Sequence, residues 1–128
     1  MAHAKASIGT TNYLVSLTAG HHHLSADEGS ELGGGDAGPA PYELLCAALG
    51  ACTAITLRMY AERKGWPLRA ARVDVRFSRE GKTGAIARVL SFEGELDAAQ
   101  RARLADIAER TPVTLTLKQG LAITTTMD

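Results

Sequence analysis

Apolar residues recur at helical spacing from Tyr42 to Lys64, where Leu44, Leu45, Ala48, Ala51, Ile55, Met59 and Tyr60 follow Pro41, a residue suited to a first helical position. The spacing predicts one long helix. Between Glu43 and Arg58 fourteen consecutive residues carry no charge and apolar side chains occupy nearly every side. That is the pattern of a helix buried in a core or a dimer interface, not of one lying half in water. Gly65 and then Pro67 stand where such a helix ends.

The flanking segments follow other periods. From Ala4 to Ala26 the runs are short and β-prone, with Tyr13, Val15 and Leu17 alternating against Leu14, Ser16 and Thr18. With turns at Thr11-Asn12 and Ala19-Gly20, they predict two or three short strands. Asp27 to Ala40 holds five glycines and Pro39 without periodicity, so it reads as a loop or flexible flap. Val73, Val75 and Phe77 alternate with Asp74, Arg76 and Ser78, Gly81 to Gly84 turns the chain, and Ala85 to Glu95 supplies the partner strand of a hairpin. Asp97 with Gln100 forms a capping-box signature ahead of a second helix, Ala98 to Arg110, whose inner face carries Leu104, Ile107 and Ala108. Thr111-Pro112 starts one more short helical turn, and Leu121 to Met127 is a final β-prone run. The order is α+β, with residues 1–128 expected to form a single domain.

Composition narrows the function classes. Fourteen Lys plus Arg against fourteen Asp plus Glu leave no positive field for a phosphate backbone, so nucleic acid is not an expected partner. Met1 to Ile8 lacks the apolar core of a signal peptide, and no charge-free apolar run reaches the roughly 18 residues of a membrane span. A cytoplasmic protein without a membrane partner is expected, with its two cysteines as reduced thiols.

Cys46 and Cys52 lie six positions apart on the predicted helix, about 9 Å of rise and about 120° of rotation, too far for a bridge while the helix is intact. Cys46 reads as a small core residue. Cys52 is the candidate nucleophile, and a reactive thiol needs a cation, a helix N-terminus or a hydrogen-bond donor to favour its thiolate. Its own helical face, with Ala48, Leu49, Ile55, Thr56 and Met59, offers no charge. Help has to come from another segment or subunit, and Lys5, the His21-His22-His23 run and Arg88 are the candidates. At most His21 and His23 could share a metal ion, and no third ligand stands at a recognised spacing, so no metal or other cofactor is expected. The Gly33-Gly34-Gly35-Asp36-Ala37-Gly38 run lacks the Lys-Ser/Thr of a phosphate-binding loop.

The segments Gly34 to Leu45, Ala47-Ala48-Leu49-Gly50-Ala51-Cys52-Thr53 and Arg58 to Trp66, together with Glu93-Gly94-Glu95-Leu96-Asp97 and Pro112-Val113, resemble the OsmC/Ohr family, closest to its osmotically inducible protein C-like branch. The resemblance covers nearly the whole chain. It implies an OsmC-like fold forming an intertwined homodimer, two long central helices wrapped by antiparallel β-sheets, with active sites at the subunit interface. It also implies reduction of organic hydroperoxides by a peroxidatic cysteine at Cys52, which passes through a sulfenic acid resolved by a second thiol. The family's resolving cysteine falls at Thr111, so the resemblance leaves that step to an external thiol reductant. The family's active-site acid falls at Tyr42, beside Glu43, and the segment that carries its activating cation holds His21 and His23. The expected ligand is a small apolar hydroperoxide or an acyl-type molecule. The other reading of the same scaffold is a non-catalytic small-molecule binding or redox-sensing protein.

Overall fold

Alternation in the N-terminal third folds into a three-stranded antiparallel sheet: β1 (Ala4–Ile8), β2 (Val15–Ala19) and β3 (His22–Ala26), in the order β1-β2-β3. The computed structural model describes residues 1–128. Ala19 pairs with His22, which leaves Gly20 and His21 as a two-residue hairpin turn. Gly20, at φ 61°, supplies the positive φ that such a turn requires at its first central position.

The glycine-rich segment after β3 is organised around one carboxylate. Asp27 is 3% exposed, and its Oδ1 accepts the N–H groups of Tyr13 (3.0 Å) and Glu28 (2.7 Å). Its Oδ2 accepts those of Gly35 (3.2 Å) and Ala37 (3.1 Å). A Cβ at Gly34 would collide with the Glu28 carbonyl, which is why the chain can fold back there only as glycine. The flap of the sequence pattern is thus tied down from within. Burial opposes ionisation of Asp27, but the four amides together hold its carboxyl below the usual carboxylate range. A depressed folded-state value means stability that is present above the ordinary carboxylate range and lost as pH falls through the lower, folded value. Asp27→Asn is therefore expected to lower the urea midpoint at neutral pH and to flatten its decline towards about pH 3, as read by denaturation at a series of pH values.

Helix α1 spans Pro41–Lys64. It ends at Gly65, φ 70°, where the Trp66 N–H reaches back to the Ala61 carbonyl at 2.9 Å, a glycine-capped C-terminus. By contacts the chain divides into two compact units, Met1–Leu45 and Cys46–Asp128, so α1 starts in the first and runs through the second. The second unit continues with β4 (Leu68–Glu80) and β5 (Thr83–Gly94), paired antiparallel from Leu68↔Gly94 to Glu80↔Thr83. The turn narrows to Gly81 and Lys82 because alternation persists beyond the predicted ends on both strands. Helix α2 (Ala98–Ala108) carries the full Asp97/Gln100 capping box, and α3 spans Pro112–Gln119.

Leu57 and Ala61 of α1, Leu68 of β4, and Leu104 and Ala108 of α2 form the core of this unit, with Trp66, Leu90, Phe92 and Ile107 packed against it. Only Leu49, Thr53, Leu57 and Ala61 of α1 are buried, one narrow stripe at four-residue spacing. Ile55 (54% exposed) and Met59 (58%) lie outside it. By length and composition α1 is apolar enough to cross a membrane, since a long window there holds few charges although its charge-free run is short.

Two expectations fail at the C-terminus. The single turn expected after Thr111 is an eight-residue helix, and the strand expected over Leu121 to Met127 does not form. A strand needs an edge to satisfy its backbone groups, and within this chain no strand pairs with these residues. Leu121, Ile123 and Met127 stay 71%, 85% and 94% exposed.

Candidate functional site

The start of α3 is built by side-chain capping. Thr111 is the N-cap, with extended backbone, and its Oγ1 accepts the Thr114 N–H. Pro112, at the first helical position, has no N–H to offer. Val113 therefore carries the one early amide that neither the cap nor proline removes, and it donates to Cys52 Sγ at 3.4 Å. The half-buried thiol of α1 thus faces a backbone hydrogen-bond donor in the first turn of a helix.

A second layer of polar contacts lies beside this pair. Arg88 projects from β5, its side chain 11% exposed. Its Nη1 donates to Thr53 Oγ1 and to Thr114 Oγ1, each at 2.9 Å, and its Nη2 to Glu109 Oε2 at 3.2 Å. Thr53 donates onward to the Leu49 carbonyl, and the Thr111 and Thr114 hydroxyls stand 2.6 Å apart. Lys118 also binds Glu109, and its hydrogen bond and charge are the main cause that holds that carboxyl below its usual range, with Arg88 adding to it. No buried side-chain polar atom lacks a partner.

Next to Arg88 and Thr114 opens a groove of ≈ 880 Å³, lined chiefly by Leu49, Phe77, Ile86, Leu90 and Leu117, with Glu109 and Lys118 on its wall. Its lining is mainly apolar with a few charged groups, Arg88, Glu109 and Lys118, a composition suited to an amphiphilic or apolar small molecule. Cys46 lies elsewhere on α1, in a cleft of ≈ 320 Å³ beside Gly50, Val73 and Val75.

The structure thus joins Cys52 and Thr111 through α3, and gives Arg88 partners one residue away on either side of the thiol contact. The remaining sequence candidates are placed differently. Glu43 accepts the Ala40 N–H at 2.9 Å and so caps the start of α1. Tyr42 stands beside it, 47% exposed. His23 Nδ1 lies 3.3 Å from Thr18 Oγ1 on the first sheet, and His21 sits in the β2–β3 turn, its ring centroid 4.1 Å from that of His22. In the glycine-rich run the Gly35 and Ala37 amides bind Asp27, and those of Gly33, Gly34 and Asp36 bind the carbonyls of Ser30, Gly29 and Glu28. Sequence reasoning missed the Val113 amide. Thr111-Pro112 announced a helix start, but nothing in the sequence aimed it at a residue 61 positions away.

The profile of the family described as OsmC-like protein matches residues 33–126. Among solved structures the chain is similar to an OsmC-like protein from Mycoplasma pneumoniae, at 16% identity over 92% of this chain and 87% of that one, with a TM-score of 0.80. It is also similar to an organic hydroperoxide resistance protein OsmC from Legionella pneumophila, at 22% identity, 92% and 89% coverage and a TM-score of 0.66. A third is a putative organic hydroperoxide resistance protein from Vibrio cholerae with captopril bound in one of its active sites, at 22% identity, 92% and 84% coverage and a TM-score of 0.67. No match to this sequence is found among curated proteins.

Proposed function

The chain belongs to the OsmC-like protein family, and from that premise we propose that it is a thiol-dependent peroxidase that reduces organic hydroperoxides through Cys52. The observation that carries this reading is the Val113 N–H on Cys52 Sγ, because it aims a backbone donor at the sulfur of the one thiol at the family's peroxidatic position. The thiolate attacks the terminal peroxide oxygen. The O–O bond breaks, the alkoxide leaves and takes a proton to become an alcohol, and Cys52 is left as a sulfenic acid. Thr111 holds no sulfur, so an external thiol condenses with the sulfenic acid, releasing water and forming a mixed disulfide. A second external thiol then frees Cys52 as the external disulfide forms.

Within this reading the protein is a cytoplasmic, intertwined homodimer of a single domain, and α1 is a core helix of that soluble assembly. The exposed apolar residues Ile55 and Met59 on α1, and Ile8 and Leu24 on the first sheet, are the surfaces a second copy would cover. The deciding experiment incubates the reduced protein with cumene hydroperoxide. Consumption of about one equivalent per chain without added reductant, becoming catalytic with excess thiol, supports the proposal, and no consumption ends it.

The groove beside Arg88 favours a second reading, in which the family scaffold holds an apolar or acyl ligand without turnover. A small molecule retained in native mass spectrometry, together with a Cys52 thiol left unmodified by hydroperoxide, would favour it.

A further inference from the structure

We infer that Arg88 is a positioning residue for the Cys52 thiol: through Thr53 and Thr114 it clamps α1 to the N-terminus of α3 and so keeps the Val113 amide on sulfur. The inference rests on the reading of Cys52 as the working thiol, but on no particular substrate.

The two hydrogens of Arg88 Nη1 go to hydroxyls on two different helices. Thr53 is the residue after Cys52, and Thr114 the residue after Val113, so the fork brackets the N–H···S contact one residue along on each side. The guanidinium has donors and no acceptor, so both hydroxyls accept from it. Thr53 gives its proton to the Leu49 carbonyl at 2.7 Å, so towards Arg88 it can only accept. Thr111 Oγ1 accepts the Thr114 N–H, and the single hydroxyl proton of Thr114 is directed to Thr111 Oγ1, 2.6 Å away, or to the Ala108 carbonyl at 3.4 Å. Thr114 is then also an acceptor towards Arg88. Two buried acceptors face one another across the joint between helices, Thr53 at 0% and Thr114 at 4% exposure. A group with at least two donors and no acceptor satisfies both, and the planar guanidinium does so in a fixed geometry.

Arg88 makes no hydrogen bond to the sulfur itself. Its charge is met by Glu109, and its hydrogen bonds go to the two threonines and that carboxylate. Its effect passes through the joint: without the clamp the two acceptors are left facing each other, the joint loosens, and the amide-to-thiol contact lengthens.

The test compares iodoacetamide alkylation of Cys52 and Cys46 by mass spectrometry with hydrogen exchange at the Val113 amide, in the wild-type protein, Arg88→Met and Arg88→Lys. Arg88→Met is expected to slow alkylation of Cys52 about tenfold, to speed Val113 exchange, and to leave Cys46 unchanged. Arg88→Lys keeps the charge but not the rigid fork and is expected to recover only part of the loss. A folded Arg88→Met with wild-type Cys52 reactivity and Val113 protection overturns the inference. Should Arg88→Met fail to fold, Thr53→Val removes one arm of the clamp and is judged by the same two readouts: a several-fold slowing at Cys52 supports the clamp, and no change refutes it. Neither readout involves hydroperoxide. A protein that consumes none, yet shows these changes, loses the peroxidase reading and keeps this one.

Discussion

Cys52→Ser is expected to reduce hydroperoxide consumption to the rate in protein-free buffer, a loss of at least about 10³-fold, whereas Cys46→Ser retains activity within about twofold. The serine fits the same space and can accept the same Val113 amide, so folding is unaffected. What it lacks is a polarisable sulfur nucleophile able to attack a peroxide oxygen. Cys46 differs in surroundings, not in chemistry. It sits about 9 Å back along α1 and about 120° round it, in a cleft beside Gly50, Val73 and Val75. The measurement is residual hydroperoxide against time, with excess thiol present, for the wild-type protein and both variants. Equal loss in both would mean that the two thiols act together and that an external thiol does not perform resolution. Equal retention would move the chemistry off Cys52 altogether.

Much of the scaffold around that thiol was legible before any coordinates. Pro41 and Gly65 bound α1, Asp97 and Gln100 start α2, and Gly20 and Gly81 turn the two hairpins, because these signals act within a few residues of the backbone they govern. The failures have a common physical cause. Leu121 to Met127 has strand composition, but propensity cannot create the hydrogen-bonding edge a strand needs. The glycine-rich segment suggested mobility, since no pattern reveals that Asp27 would gather four amides.

At the site the same distinction holds. Cys52 and the helix start at Thr111 were both visible, but the group that joins them is a backbone amide, which has no signature in the sequence. Arg88 is one of the cations the sequence offers to the thiol, beside Lys5 and the His21-His22-His23 run. Its hydrogen bonds go to Thr53, Thr114 and Glu109, a role that depends on three elements meeting. Residue types announce chemistry, whereas the packing of α1, β5 and α3 decides which groups meet.

The largest effect on stability is expected from Leu57→Ala, and its contrast with Ile55→Asp separates the core of a single chain from the surface between two. Leu57 is fully buried against Ala61, Leu68, Leu104 and Ala108. Two of those four neighbours are alanines, whose short side chains cannot swing into the vacated space, so most of the cavity persists. The lost transfer energy and the cavity together cost about 2–5 kcal/mol. For a domain of this size that is a fall of roughly 10–20 °C in Tm. Ile55 lies two residues away on the same helix yet is 54% exposed in the single chain. If α1 faced only water there, Ile55→Asp would change Tm by no more than a few degrees and leave the mass in solution untouched. If a second copy covers that face, the same change buries a charge against hydrocarbon and dissociates the dimer. Thermal melts and light scattering, all at one chain concentration, read both effects. On the proposed homodimer the expected outcome is a destabilised dimer for Leu57→Ala and a monomer for Ile55→Asp, and an Ile55→Asp protein of unchanged mass would mean that no second copy covers this face of α1.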